Sequence, residues 1–391
     1  GRYRSLARAA RVRERSMTPY PSPFAWLDPL FRSVAGDAVP AAALEAAASR
    51  SATPLTLEPL DRRFLRAVWI DVAGRTPLPD EWKRVQGRPR REVVAELVAS
   101  PAAWDGFYEE ELFYFLLVDN FRPSTEAFAA LPKELAAKKL GVREALRQIV
   151  SSQFFNARNP GNDTFVTVVL EQLLGLTVQK ETATLEAGKK MYDGAATPLL
   201  GRRGASQADL VRIVVESDGF EPFFLGRKAT AIFGAALPRK RLAADAARLR
   251  AEPLAWPDLL AGWLASQAYE DLLAKPRPKS DRVFVRSLYA DLLMRAPDYQ
   301  EFRRSRNALL ALSDSRPLRS VLIKMMLDGG LGEVGKPGPD GAAYVRDLFL
   351  RFLARDPTAK EAEAFTAELA GADGPKLVVR ALLTHGEYQA Y

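Results

Sequence analysis

Four carboxylates, Glu109, Glu110, Glu111 and Asp119, crowd into FYEEELFYFLLVDN and are the residues whose type and spacing could do chemistry. Aspartate and glutamate alone can run glycoside hydrolysis, one as the acid and another as base or nucleophile, so a carboxylate-based hydrolase acting on polysaccharide is one reading. The competing reading puts them on a solvated helix face; a concave pocket holding two carboxyls of raised pKa would separate the two. Cysteine is absent, which removes disulfides, thiol catalysis, covalent haem attachment and thiolate metal sites. A single histidine, His385, removes most zinc, iron and copper sites as well. Asn162 and Asp163 follow a plain Asn-Pro-Gly turn without the spacing of an EF-hand. GRRG at 201–204 and GLTVQKET at 175–182 lack the spacing of a phosphate loop. In EPFFLGRKATAIFG, Phe223, Phe224, Arg227, Lys228 and Phe233 read as a core helix with a solvated basic edge. No catalytic, cofactor-binding or metal-ligating residue is assigned; neither an enzyme activity nor a cofactor is expected.

The elements that would position such residues are written in a repeated phrase: FLRAVWIDVAGRTP at 64–77, FVRSLYADLLMRAP at 284–297 and YVRDLFLRFLARDP at 344–357. Each begins with an aromatic (Phe64, Phe284, Tyr344), has arginine third (Arg66, Arg286, Arg346) and an aromatic sixth (Trp69, Tyr289, Phe349). Each ends in Arg-x-Pro (Arg75 and Pro77, Arg295 and Pro297, Arg355 and Pro357), with glutamate four residues on (Glu81, Glu301, Glu361). The apolar spacing is that of a helix burying one broad face. The proline is expected to stop that helix, and the glutamate to open a second one against the positive end of its dipole. The repeated arginines are expected to clamp the turn or pair with those glutamates; binding of an anionic ligand is the other reading.

A shorter signature closes the modules: IVSSQFF at 149–155, VVESDGF at 214–220 and WLASQAY at 263–269, with LVASPAAW at 97–104 a looser copy. LLTHGEY puts His385 where the others have Ser152, Ser217 and Ser266. Serine before a new apolar run predicts a helix N-cap, and the aromatic beyond it should pack back on the preceding helix. The fold class is therefore all-α, with repeated helix-turn-helix modules forming a multi-helix array in two or three subdomains. Residues 41–164 make a first module domain, including a short helix at 41–50. Residues 165–275 form an irregular helical middle, whose polar linker 176–207 is expected to be a flexible or functional loop. Residues 276–391 form a pair of repeated modules. The apolar run LFYFLLV at 112–118 reads as a buried helix, far short of the ~20 residues that cross a bilayer.

The formal charge of +8 is uneven. The first fifteen residues carry Arg2, Arg4, Arg8, Arg11, Arg13 and Arg15 against one glutamate, followed by a proline-rich stretch with Tyr20, Phe24, Trp26 and Phe31. Residues 1–40 thus read as a basic, extended arm that binds other protein subunits, an acidic surface or an anionic membrane. A segment wrapping its own domain, or a leftover targeting segment, are the other readings. Charge alone would also suit nucleic acid, yet no nucleic-acid module accompanies it and such a partner is not expected. The lack of cysteine fits export, although Ala- and Arg-rich proteins also lack it by chance, and Gly1 in place of methionine suggests a processed start or an expression scar.

FLRAVWIDVAGRTPLPDEW with VVAELVASPAAW resembles the planctomycete cytochrome-associated domains of unknown function. FVRSLYADLLMRAPDYQEF and YVRDLFLRFLARDPTAKEAEAF resemble the helical repeats of secreted bacterial proteins and, more distantly, phycobilisome linker repeats. The resemblance implies a helical fold and an exported setting, periplasmic or at the cell surface. It carries over no catalytic residue, and no CxxCH motif is present. The function expected is a non-catalytic helical scaffold or accessory subunit of an exported or envelope complex. A haem-free partner of a cytochrome or electron-transfer complex is the narrower alternative.

Overall fold

The computed structural model describes residues 62–118, 125–330, 334–335 and 337–391. The ten arm residues named above, the expected helix at 41–50 and Asp119 lie outside the described residues.

The chain divides into two compact units. Of the described residues, the larger unit takes 62–307, 349–356 and 386–391, and the smaller takes 308–348 and 357–385, so both draw on the 276–391 stretch. In the larger unit α1 (Arg62–Ala73), α2 (Pro79–Val85), α3 (Arg90–Val98) and α4 (Pro101–Leu116) form the first module. They are followed by α5 (Glu126–Ala136), α6 (Val142–Val150), α7 (Gln153–Arg158), α8 (Asn162–Leu174) and α9 (Thr182–Tyr192). A two-stranded antiparallel hairpin, β1 (Thr197–Leu199) and β2 (Arg202–Gly204), separates α9 from α10 (Gln207–Val215) and α11 (Phe220–Phe233). Then come α12 (Arg239–Ala251), α13 (Trp256–Leu264), α14 (Gln267–Leu273) and α15 (Asp281–Leu293). The boundary between units falls inside α16 (Tyr299–Leu309) and again inside α18 (Gly341–Phe352). The smaller unit also holds α17 (Arg316–Asp328), α19 (Ala359–Glu368) and α20 (Gly374–Thr384), while the short α21 (Gly386–Gln389) belongs to the larger. Among the described residues the fold is all-α apart from that hairpin. Among the described residues no helix is long and apolar enough to cross a membrane.

One continuous core runs through the larger unit from Phe64 to Leu273, and the closing aromatics Trp104, Phe155, Phe220 and Tyr269 are all buried in it. α1 packs on α4, and an added Cβ at Gly106 would lie 2.8 Å from the Val72 carbonyl, so a side chain there would push the two helices apart. The smaller unit buries Ile323, Met326 and Leu327 of α17 against α20, with Val378, Val379 and Leu382.

The repeated phrase forms the expected helix, turn and second helix, but the proline does not end the first one. α1 stops at Gly74, α15 at Met294 and α18 before Ala354, with φ of 68°, 57° and 57°. This left-handed residue, three places before each proline, turns the chain out of the helix. Methionine and alanine accept a conformation that costs L-residues about 1–2 kcal/mol. The glutamates do open the second helices. Glu81, Glu301 and Glu361 accept from the backbone N–H of Leu78, Asp298 and Thr358 at 2.8, 2.8 and 2.6 Å.

The signature serines meet the expected N-cap role in part and add a second one. Ser152, Ser217 and Ser266 donate to the carbonyls of Ile149, Val214 and Trp263 at 2.7, 2.7 and 2.6 Å, closing the preceding helix. Ser100 and Ser152 also cap the following helix, accepting from Ala103 and Phe155, both at 3.2 Å. Ser217 does not cap α11, because that helix starts only at Phe220. Two further expectations are corrected. The 176–207 segment is ordered as α9 and the hairpin, whose turn residues Leu200 and Gly201 both have positive φ and whose Leu199 is buried, as is Met191 of α9. The 112–118 run is helical only to Leu116, and Phe113, Leu117 and Val118 are exposed.

Candidate functional site

Within the larger unit a cavity of about 330 Å³ opens where α1, α4, α11, α13 and α15 converge. Its apolar wall comes from Ile70, Trp104, Phe107, Ile232 and Trp256; its polar groups are Asp71, Glu110, Lys228, Arg282, Arg286 and Tyr391. Its size is at the low end for small-molecule pockets. What the cavity could do depends on the charge networks that form its walls.

Behind one wall Glu111 is fully buried and is met by Arg227 at 2.7 Å and Lys228 at 2.6 Å. Lys228 also reaches Glu110 at 2.8 Å and lies 4.6 Å from the Phe107 ring centroid, while Arg227 stacks 4.0 Å over Tyr114. The basic edge expected on this helix is therefore not solvated at Lys228. The residue is buried because α11 packs in the core and a buried glutamate waits there. Burial opposes ionisation of Glu111, yet Lys228 and Arg227 hold its carboxyl below the usual carboxylate range. Glu109, the first of the run, pairs with Arg286.

At the opposite wall Asp71 accepts from the Tyr269 hydroxyl at 2.7 Å, the Tyr391 hydroxyl at 2.8 Å, and Arg277 Nη1 and Nη2 at 3.0 and 2.7 Å. Burial and the Asp71 charge raise both phenols above their ordinary range. Backbone bonds between Arg277 and Tyr391 hold this strap in place, at 2.9 and 3.0 Å.

The repeated arginines separate into two kinds. Those of Arg-x-Pro each donate to the carbonyl of the next residue, Thr76, Ala296 or Asp356, at 3.0, 3.1 and 3.1 Å. Arg75 and Arg295 then grip Glu81 and Glu301 with both terminal nitrogens, at 2.7 and 2.7 Å and at 2.7 and 2.6 Å. Arg355 grips Glu387, at 2.7 and 2.9 Å. The arginines at the third place of the first two copies take different partners. Arg66 binds Asp291 at 2.6 Å and the Arg351 carbonyl at 3.0 Å; Arg286 stacks 4.5 Å over Phe302 beside Glu109; Arg346 is exposed. Pro77 and Pro297 lie in the turns, lining two separate recesses of this unit, and Pro357 precedes the Thr358 and Glu361 capping box in the smaller unit.

Sequence reading did not single out Asp71 and Asp291, although both stand eighth in the phrase, where the third copy has Arg351. That shared place was an available signal. Their arginine partners lie 206 and 225 residues away and left no local trace.

Among the described residues no cluster of His, Cys, Asp or Glu could hold a metal ion. Asn162 instead bonds Asp193 at 2.6 Å, and Asp163 pairs with Lys189 at 2.6 Å. Chemically, the cavity walls fix charge. A proton-transfer group works best with a pKa near the operating pH, whereas Glu111 is held low and Tyr391 and Tyr269 high. No protein-family model matches the chain, and no curated protein matches it.

Proposed function

We propose that this protein is a non-catalytic helical scaffold or accessory subunit of an exported or cell-envelope complex. The observation that carries the reading is the use of the buried charges. Glu111, Asp71 and Asp291, together with Lys228 and Arg66, are consumed in ion pairs that join helices far apart in sequence. Such pairs set which helices meet more than they add net stability. The three phrases supply the second support, since repeated modules stack into extended binding surfaces.

The arm at 1–32 remains the segment proposed to reach partner subunits, on its arginines and aromatics. Native purification followed by mass spectrometry should recover a stoichiometric partner. Removing residues 1–32 should abolish that association while leaving the helical circular dichroism and thermal midpoint unchanged. Turnover of a polysaccharide by the purified protein, lost on Glu110→Gln, would sink the scaffold reading in favour of the carboxylate hydrolase.

A further inference from the structure

In the cavity of about 330 Å³ in the larger unit the buried carboxylate is spent and one guanidinium is not. Asp71 already accepts from four donor atoms, of Arg277, Tyr269 and Tyr391, which fills the capacity of a carboxylate. Glu110 is half exposed and accepts from Lys228. Arg286 of α15 lines the same cavity and gives only Nη2 to a carboxylate, that of Glu109. We propose that the cavity is a binding site for a small aromatic monocarboxylate, whose acid group is held by the open edge of Arg286 and whose ring packs on Trp104, Phe107 and Trp256. The inference goes beyond the scaffold reading and does not rest on it.

The position of Arg286 selects the acid group. It stands between this cavity and a neighbouring recess of about 240 Å³ and lines both. Glu109 lines the recess and not the cavity, whereas Gly74 lines the cavity and not the recess. The guanidinium therefore turns Nη2 to the recess and Nη1 to the cavity, where a Cβ at Gly74 would lie 3.3 Å from it. Phe302 covers one face of the group, 4.5 Å from ring centroid to Cζ, so the donors left are the in-plane N–H groups of Nη1 and Nε. Among the described residues neither has an acceptor. Burial and the neighbouring Arg75 push the Arg286 pKa down to about 10 against the pull of Asp105, the direction that an added carboxylate would reverse. A planar fork with a vacant edge matches a carboxylate better than a point acceptor. Lys228 is a weaker anchor, since Glu110 and Glu111 take two of its three donors and the Phe107 ring lies 4.6 Å away. The aromatic part follows from the wall, where Trp104 and Phe107 meet edge to face at 5.5 Å and Trp256 stands beside them. A ligand ring gains edge-to-face and offset contacts on such a surface. The volume has room for one ring with a short acid arm.

The test uses the full chain and phenylacetate, with phenylacetamide as the neutral counterpart and hexanoate as the ring-free one. Trp104 and Trp256 line the cavity, so saturable quenching of tryptophan fluorescence, checked by titration calorimetry, reads occupancy. Phenylacetate should bind about tenfold more tightly than either counterpart. Arg286→Gln should weaken phenylacetate about tenfold and leave phenylacetamide unchanged, a split that a general loosening of the fold would not produce. Ala231→Phe, at an exposed position of α11 that lines the cavity, should abolish binding by filling it while the helical circular dichroism stays as in wild type. The proposal is overturned if phenylacetate shows no saturable binding, if phenylacetamide or hexanoate binds as tightly, or if Ala231→Phe binds undiminished. Should Arg286→Gln fail to fold, the two counterparts and Ala231→Phe decide by themselves.

Discussion

Two nodes in the larger unit are built on the same plan from different copies of the phrase. At the first, Phe64 meets Tyr269 edge to face at 6.1 Å, Arg277 lies 6.0 Å over the Tyr269 ring, and Arg277 binds Asp71 through both terminal nitrogens. At the second, Phe284 meets Tyr388 edge to face at 6.3 Å, Arg66 lies 5.4 Å over that ring, and Arg66 binds Asp291 in the same fashion. The first and eighth residues of the phrase and the aromatic of the closing signature thus rebuild one arrangement twice. The source of the arginine differs. Arg277 follows soon after its own tyrosine, so the first node closes on itself with help from Tyr391. Arg66 comes from the first phrase, and Thr76 of that phrase also donates to Asp291 at 3.0 Å, so the second node stitches one copy to another. One motif serves as an internal clasp in one place and as a fastening between repeats in the other.

The sharpest way to break this comparison is to remove the two arginines. Arg66→Ala leaves Asp291 buried with only Thr76 as a donor, and the loss expected for an uncompensated buried charge is about 3–5 kcal/mol in urea unfolding. Arg277→Ala should cost about 1–2 kcal/mol less, because two tyrosine hydroxyls still satisfy Asp71. Asp291→Asn in the Arg66→Ala background should recover part of the loss. An Arg277→Ala loss equal to or larger than that of Arg66→Ala would contradict the distinction between clasp and fastening.

The tyrosines sharpen it next. The Tyr269 hydroxyl donates to Asp71, whereas the Tyr388 hydroxyl is buried near Asp291 without the alignment of a hydrogen bond. Tyr269→Phe should therefore cost about 1–2 kcal/mol and Tyr388→Phe less than about 0.5 kcal/mol. Burial and the neighbouring aspartate raise both phenols well above their ordinary value of 10.0. A raised folded pKa contributes stability that is fully present below the unfolded value and is lost as pH rises through the folded one. Unfolding midpoints should hold up to about pH 10 and fall above it. Tyr269→Phe should flatten that alkaline decline. Absorbance of phenolate, followed against pH beside circular dichroism, would show whether these tyrosines ionise only as the fold is lost.

The smallest effect distinguishes the copies at their helix ends. Met294→Gly should stabilise the protein by about 0.5–1 kcal/mol by relieving the positive φ, offset in part by the entropy of glycine. Gly74→Ala should destabilise it, since φ is 68° and the added Cβ would lie 3.3 Å from Arg286. Thermal midpoints of the two variants should move in opposite directions.

The glutamate caps and the helix-turn-helix rhythm were legible because they are local: a carboxylate three residues from the amide it caps has few alternatives. The prolines are less informative than their recurrence suggests. They mark the turn, while the residue that ends each helix is identified by its φ, which Met294 and Ala354 conceal and Gly74 alone reveals. The serines reveal only half of their role locally, since a hydroxyl can close one helix as readily as it opens the next. Lys228 shows the limit most clearly. Its flanking sequence is that of an amphipathic edge, and only the approach of α4 turns it into a buried partner of Glu111.

By itself, then, the sequence determined what depends on short spacing: the helices, their polar caps, the turns, and the recurrence of one phrase three times. Tertiary structure decided which charges meet. With 56 basic and 48 acidic side chains available, no local rule selects Asp291 for Arg66 or Asp71 for Arg277. That choice is made when apolar faces pack and exclude water, because only then does a buried carboxylate become too costly to leave without a partner.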